Sequence, residues 1–245
     1  LVDADATGST ITAAVQQYLP TGRNWYIGIP FTDVSAVNSS TLLSAGATSV
    51  SHWNEATGSW VNTYSGAMSR GKGYIAVSAS GTATNNISFS GTLNTGSVPV
   101  AVTRTVGVTK EGFNLIANPY PSYLNPCAVI TASTKMEPTI WYRTKGTSYQ
   151  FETVNTTSGE GTNGVTGYIP PMQAFWVRVK PNTNPLLANS EILTFTNAMR
   201  FHANPTVDQT TITTTAMKAP SATKSVVSKL RLVVSNGINS DETLI

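Results

Sequence analysis

The sequence predicts an all-β protein of internally duplicated antiparallel β-sandwich or jelly-roll-like units, with helix confined to short turns. Three observations predict it. Charged residues make up only 11% of a 245-residue chain that is 40% hydrophobic and holds five Trp, nine Tyr and seven Phe. Apolar and hydroxyl residues alternate along short segments bounded by Gly, Pro and Asn. Four aromatic-rich blocks recur in the same order in the two halves of the chain.

The low charge does not mean disorder. Disordered chains lack aromatic and β-branched residues, and this one is rich in both. Thr, Val, Ile and aromatic side chains suit a pleated, half-buried surface. In Ile87-Ser88-Phe89-Ser90 and Leu193-Thr194-Phe195-Thr196 the apolar residues fall on one face and the hydroxyls on the other. A period of two puts one face on a core and the other in water. Turn chemistry recurs at the short intervals found in sandwiches and barrels.

The repeat runs as follows. Trp25-Tyr-Ile-Gly-Ile-Pro-Phe31 matches Asn114-Leu-Ile-Ala-Asn-Pro-Tyr120, each a strand rising into a Pro-aromatic turn. His52-Trp53 through Trp60 matches Ile140-Trp141 through Tyr149, each a hairpin with a polar Gly turn. Gly73 to Val77 matches Ala174 to Val179, and Ile87 to Gly91 matches Leu193 to Asn197. A loop insertion, Ser158 to Gly164, lengthens the second copy and reads as flexible. Duplication is a common route to large β architectures, and two copies are too few for a solenoid, so the halves should pack on each other.

The chain divides into a first strand within 1–20 (Ile11 to Leu19), copy one at 21–106 and copy two at 107–201. A Thr/Ser/Ala-rich linker follows at 202–226. A terminal hairpin at 227–245 turns at Asn236-Gly237 and reads as the possible start of a further domain. Helix signal is thin: one short helix within Val34 to Ala47 and a turn within Pro126 to Ser133. The chain starts at Leu1 without a leader and ends at Ile245 in an apolar segment, so both ends read as cuts from a longer precursor.

The composition argues against several functions. Net charge is +3 with scattered basic residues, so no stripe tracks a phosphate backbone and nucleic acid is not expected as a partner. No run of apolar residues is long enough to span a bilayer as a helix, and membrane insertion is not expected. The single cysteine, Cys127, sits among apolar residues and reads as a small buried hydrophobe.

No catalytic residues are predicted. Nucleophilic catalysis needs a base beside a hydroxyl or thiol, and only His52 and His202 are available. His52 aligns with Ile140 of the second copy, which marks a structural position. Acidic residues are few and dispersed, so no pair stands out for glycoside hydrolysis. Gly159-x-Gly161-x-x-Gly164 fits a dinucleotide fingerprint only literally, without the strand before it or the helix after it. Calcium is the one metal with any sequence support, as Asp3, Asp5 and Thr7 resemble the first half of a calcium loop. Its terminal Glu is absent, with Ala14 in that position, so a polar turn is the preferred reading and no cofactor is expected. The aromatic rings offer the other candidate site. Trp53, Trp60, Tyr64, Trp141, Tyr142 and Tyr149 either fill the core or form a platform for sugar faces, and core packing is preferred.

Several strings carry a family resemblance. Gly112-Phe-Asn-Leu-Ile-Ala-Asn-Pro-Tyr-Pro-Ser122, Ile140-Trp-Tyr142 and Ile169-Pro-Pro-Met-Gln-Ala-Phe-Trp-Val177 occur in that order, followed by Leu230-Arg-Leu and Asp241-Glu-Thr-Leu-Ile245. This series resembles large secreted and cell-surface proteins of Bacteroidetes-type bacteria, in the region preceding a type IX secretion sorting domain. The resemblance implies export, an extracellular or cell-surface location and an adhesin-like modular protein, with no activity known for this region. Independently of it, Pro119, Pro121, Pro170 and Pro171 should end strands, since proline lacks the ladder donor. Gln173 should bond a turn backbone.

The function expected is therefore a non-catalytic extracellular surface module: an adhesion, stalk or spacer domain. The expected partners are neighbouring domains of the same precursor, or a surface glycan or host-matrix protein. The alternative is a carbohydrate-binding module using exposed Trp and Tyr.

Overall fold

The computed structural model describes residues 10–19, 23–32, 38–44, 47–78, 86–145, 148–201, 231–235 and 240–244. Asp3, Asp5, Thr7, His202, the 202–226 linker and the Asn236-Gly237 turn lie outside the described residues.

Copy one contains β1 (Thr12–Tyr18), β2 (Asn24–Ile27), α1 (Ser39–Ser44), β3 (Ala47–Asn54), β4 (Ser59–Val61), β5 (Tyr74–Ser78) and β6 (Asn86–Thr92). Copy two contains β7 (Val98–Arg104), β8 (Phe113–Ala117), β9 (Tyr123–Leu124), α2 (Cys127–Ala132), β10 (Thr139–Lys145), β11 (Tyr149–Asn155), β12 (Ala174–Arg178), β13 (Asn189–Phe195) and β14 (Arg200–Phe201). The terminal hairpin is β15 (Arg231–Ser235) and β16 (Ser240–Leu244).

The duplication appears in the strand order. Copy one has a four-stranded antiparallel sheet β2-β5-β3-β4, and copy two repeats it as β8-β12-β10-β11. Opposite each lies an antiparallel pair, β1 with β6 and β7 with β13. The hairpin β15-β16 adds to β1 and extends the outer sheet of copy one. The pairing also moves the expected boundary at 106. β7 belongs to copy two, because its partner is β13, and β1 completes copy one through β6.

Each copy is a sandwich. In copy one Val15, Ile87 and Phe89 from the outer sheet pack on Trp25, Ile27, Val50 and Tyr74 from the inner one. In copy two Val98, Val100, Leu193 and Phe195 pack on Ile116, Ile140, Phe175 and Val177. The predicted alternation holds: Ile87, Phe89, Leu193 and Phe195 are buried while Ser88, Ser90 and Thr194 are exposed.

The two inner sheets then bury their second faces against each other. Tyr26, Trp53 and Ile75 of copy one meet Leu115, Ala117, Ala174 and Trp176 of copy two, with Trp60, Val77, Phe113 and Trp141 at the margin. Four of the five tryptophans therefore lie in this seam.

Register across the seam is reciprocal. Ile27 bridges Gln173 and Lys72 bridges Ile116. Through the pairings β2-β5 and β8-β12, Ile27 corresponds to Ile116 and Lys72 to Gln173. The N–H of Gly28 donates to Met172 O (2.8 Å), and that of Ala117 to Gly71 O (2.9 Å). Gly71 (φ 72°) and Met172 (φ 61°) occupy the same left-handed position in the two copies. The copies are thus related by a pseudo-two-fold relationship in their contacts.

Two expected details change. Ser51 pairs with Ile75 and Trp141 with Trp176, so His52 corresponds to Tyr142 and Trp53 to Arg143, two residues away from the sequence alignment. The insertion at 158–164 is pinned rather than free. Glu152 accepts hydrogen bonds from Thr162 Oγ1 (2.7 Å) and Asn163 Nδ2 (2.9 Å), and Val154 bridges Gly161.

Candidate functional site at the seam between the copies

A groove of about 440 Å³ opens between the copies. Copy one supplies the end of β3, the 3-10 turn Glu55–Thr57 and the turn at Arg70–Lys72; copy two supplies residues of β7 and β8.

The 3-10 turn is fixed locally. Asn54 Oδ1 accepts from Ala56 N–H (3.1 Å), and Gly58 closes the turn at φ 59°. A Cβ on Gly58 would lie 2.5 Å from the Thr109 carbonyl oxygen, so this close approach to copy two requires glycine. The turn aims Glu55 at the β7-β8 connection. Its Oε1 accepts from Thr105 N–H (2.8 Å) and Gly112 N–H (2.9 Å). Its Oε2 accepts from Thr103 Oγ1 (3.1 Å) and Thr105 Oγ1 (2.9 Å). Glu55 is buried, and four donors occupy its two oxygens. A carboxylate held this way acts as a latch between the copies rather than as a proton acceptor.

The basic groups differ in this respect. Burial pushes the Lys72 amine below its usual value. Burial also lowers the His52 imidazole, an effect the Trp53 carbonyl opposes and the Lys72 charge reinforces. The His52 ring stands edge-on to Tyr64 and Tyr74, with centroids 5.0 and 6.1 Å away. Its Nδ1 lies 3.3 Å from Trp53 O, and among the described residues no hydroxyl hydrogen-bonds to this histidine.

The six candidate ring residues do not share one surface. Trp53 is buried in the seam, where Trp53, Trp60 and Trp176 meet edge to face at 5.5–5.8 Å. Trp141 packs on Phe113 in the same layer (5.2 Å). Tyr142 points into the copy-two core, donates to Thr166 O (2.8 Å), and has its hydroxyl pKa raised by burial. Tyr64 packs against the copy-one core and donates to Ala67 O (2.5 Å). The Tyr149 hydroxyl accepts from Asn24 N–H (2.6 Å), and the Arg143 guanidinium sits 4.3 Å from its ring. Five of these rings are divided among three packing layers, and Trp53 and Trp60 meet Trp176 edge to face, where a sugar platform needs coplanar faces.

Other polar residues close loops. Glu111 pairs with Arg104 and accepts from Gly107 N–H (2.7 Å). Asn118, fully buried, donates to the carbonyls of Ser122, Ile169 and Pro170 and accepts from Tyr120 N–H. Gln173 donates to Ala174 O (3.2 Å). Cys127 is buried, and burial raises its thiol pKa. Among the described residues no three His, Cys, Asp or Glu side chains are grouped to share a metal ion, and no helix is long and apolar enough to cross a membrane. The Asp3, Asp5 and Thr7 calcium candidate lies outside the described residues.

A family model matches residues 25–216, which takes in most of both copies. The chain belongs to the DUF8693 family. The family is described as a domain of unknown function. Within this DUF8693 domain the match begins at Trp25 in β2, and β1, which pairs with β6, lies before it. No curated protein and no solved structure matches the chain.

Neither Glu55 nor the Arg70-Gly71-Lys72 turn of this DUF8693 domain stands out in the sequence. Glu55 meets Gly112 57 residues away, and no local pattern marks such a contact. The repeat does carry a signal at the turn: copy two has Pro171-Met172-Gln173 where copy one has Arg70-Gly71-Lys72.

Proposed function

We propose that this DUF8693 domain is a non-catalytic module of a secreted or cell-surface protein. In this reading it is a rigid spacer that presents neighbouring domains or engages a surface partner. The observation that carries the proposal is the seam. Two sandwiches fused over a shared aromatic layer, latched by Glu55, make a stiff unit of fixed length. Among the described carboxylates, four (Glu55, Glu111, Glu152 and Glu191) are committed to holding a loop or strand end.

Two measurements test the proposal. Purified domain incubated with panels of glycosidic, ester and peptide substrates should release no product; turnover that tracks the protein through purification refutes it. Surface proteolysis of intact cells expressing the full precursor should remove the domain, and protection until the cells are lysed overturns the extracellular location.

A further inference from the structure

We propose that the groove between the copies binds an oxyanion-bearing ligand, a carboxylate or a phosphate, through Lys72 and Arg70. Both residues line the groove on the turn in which Lys72 N–H donates to Ser69 O (3.3 Å). Among the described residues neither pairs with a carboxylate; the ion pair there joins Arg104 to Glu111. Glu55 also lines the groove, but its oxygens are filled by Thr103, Thr105 and Gly112. A cation drawn partly out of water without a counter-charge is unfavourable, and an anion arriving from solution relieves that cost. The Lys72 ammonium has the Tyr74 ring 5.8 Å away but no carboxylate partner among the described residues, and burial lowers its pKa.

The duplication supplies an internal control. Lys72 and Gln173 make equivalent bridges, to Ile116 and to Ile27, and Gly71 and Met172 are both left-handed. The same turn therefore forms in copy two with Pro171, Met172 and Gln173 and no charge at all. The backbone does not need cations at 70 and 72. Gln173 is buried, whereas Arg70 is exposed and Lys72 half-buried, facing a groove. A volume of about 440 Å³ falls within the range of small-molecule sites, and Val100, Leu115 and Ile116 offer an apolar wall for the ligand's uncharged part.

The test is an NMR titration of the ¹⁵N-labelled 245-residue chain with inorganic phosphate and, separately, with glucuronate, at ionic strength held constant with chloride. At least one probe should give saturable shifts at the amides of Gly71, Lys72, Gly73, Leu115 and Ile116. Saturation by phosphate alone identifies a phosphate ligand, and by glucuronate alone a carboxylate. Lys72→Gln, which installs the residue of the equivalent copy-two position, should weaken that binding about tenfold or more, and Arg70→Gln should weaken it in the same direction. The proposal is overturned if neither probe saturates at these amides. It is also overturned if both variants bind within about twofold of the parent chain.

Discussion

Gly28 and Ala117 hold equivalent positions in the two copies and face each other across the seam, so closely that a Cβ on Gly28 would lie 2.2 Å from the Ala117 Cβ. Gly73 and Ala174 repeat the relationship, with 2.9 Å between the added Cβ and that of Ala174. At both of these places one member of the pair is glycine and the other alanine. Two identical copies could not approach this closely with alanine on both sides.

A swap follows from this geometry. Gly28→Ala should destabilise the domain by about 1–3 kcal/mol through overpacking. Ala117→Gly alone should cost about 1 kcal/mol through backbone entropy. The double variant, which moves the methyl from one copy to the other, should recover most of the Gly28→Ala loss. Urea unfolding of the four proteins measures this, and strict additivity would show that the two residues do not compete for one space.

The seam also sets how the domain unfolds. Trp176 touches Tyr26, Trp53, Trp60 and Phe113, rings contributed by both copies. Copies joined over such a layer should melt in one transition, with tryptophan fluorescence and far-UV circular dichroism coinciding. Trp176→Ala should lower that single transition by about 3–5 kcal/mol. Two separated transitions in the parent chain would mean that the copies are independently stable and merely adjacent.

Much of this architecture was legible because sandwich strands alternate. Ile87-Ser88-Phe89-Ser90 and its counterpart at Leu193 carry their burial in their spelling, and four ordered blocks were enough to reveal the duplication. The strands β1 and β7 were missed as a pair because short Ala/Val segments hold too little information to align. The slip at His52 has a sharper cause. Matching Trp53 to Trp141 aligns two similar side chains, and because side-chain direction has a period of two, an error of two residues leaves every side chain on its own face and nothing in the pattern marks it. Ile140 and Tyr142, two residues apart, both lie in the copy-two core while Trp141 between them joins the seam, so either register reads sensibly. The site was less legible still. The Glu55 latch joins distant segments, and the groove exists only once the copies are docked.

Acid sensitivity should run through Glu152. Hydrogen bonds from Thr162, then Asn163 and Gln150, hold its carboxyl below the usual value against a smaller opposing effect of burial. A depressed folded-state pKa gives stability that is fully present above the unfolded value, about 4.3, and is lost as pH falls through the folded one. Glu191, held down by Ser133 and the Ile192 N–H, acts in the same direction. Glu152→Gln should therefore lower stability at neutral pH and flatten its decline under acid, as read from urea midpoints between about pH 2 and 6. A decline as steep as in the parent chain would assign the acid response to other groups.

The Glu55 latch makes the most direct prediction about how the copies are held. Glu55→Ala would strand the N–H groups of Thr105 and Gly112 in a buried site and leave the Thr103 and Thr105 hydroxyls without their acceptor. Leaving a buried donor unmet costs about 1–3 kcal/mol each, so a loss of about 3 kcal/mol or more is expected. Glu55→Gln should cost markedly less. Its carbonyl can still take both N–H donors, and its amide can donate to the threonine hydroxyls, which rotate to accept. Amide hydrogen exchange at Thr105 and Gly112 separates this from general weakening. Both amides should lose protection selectively in Glu55→Ala and keep most of it in Glu55→Gln. Equal protection in the two variants would mean that the β7-β8 turn is held by its own Arg104–Glu111 pair rather than by the carboxylate from copy one.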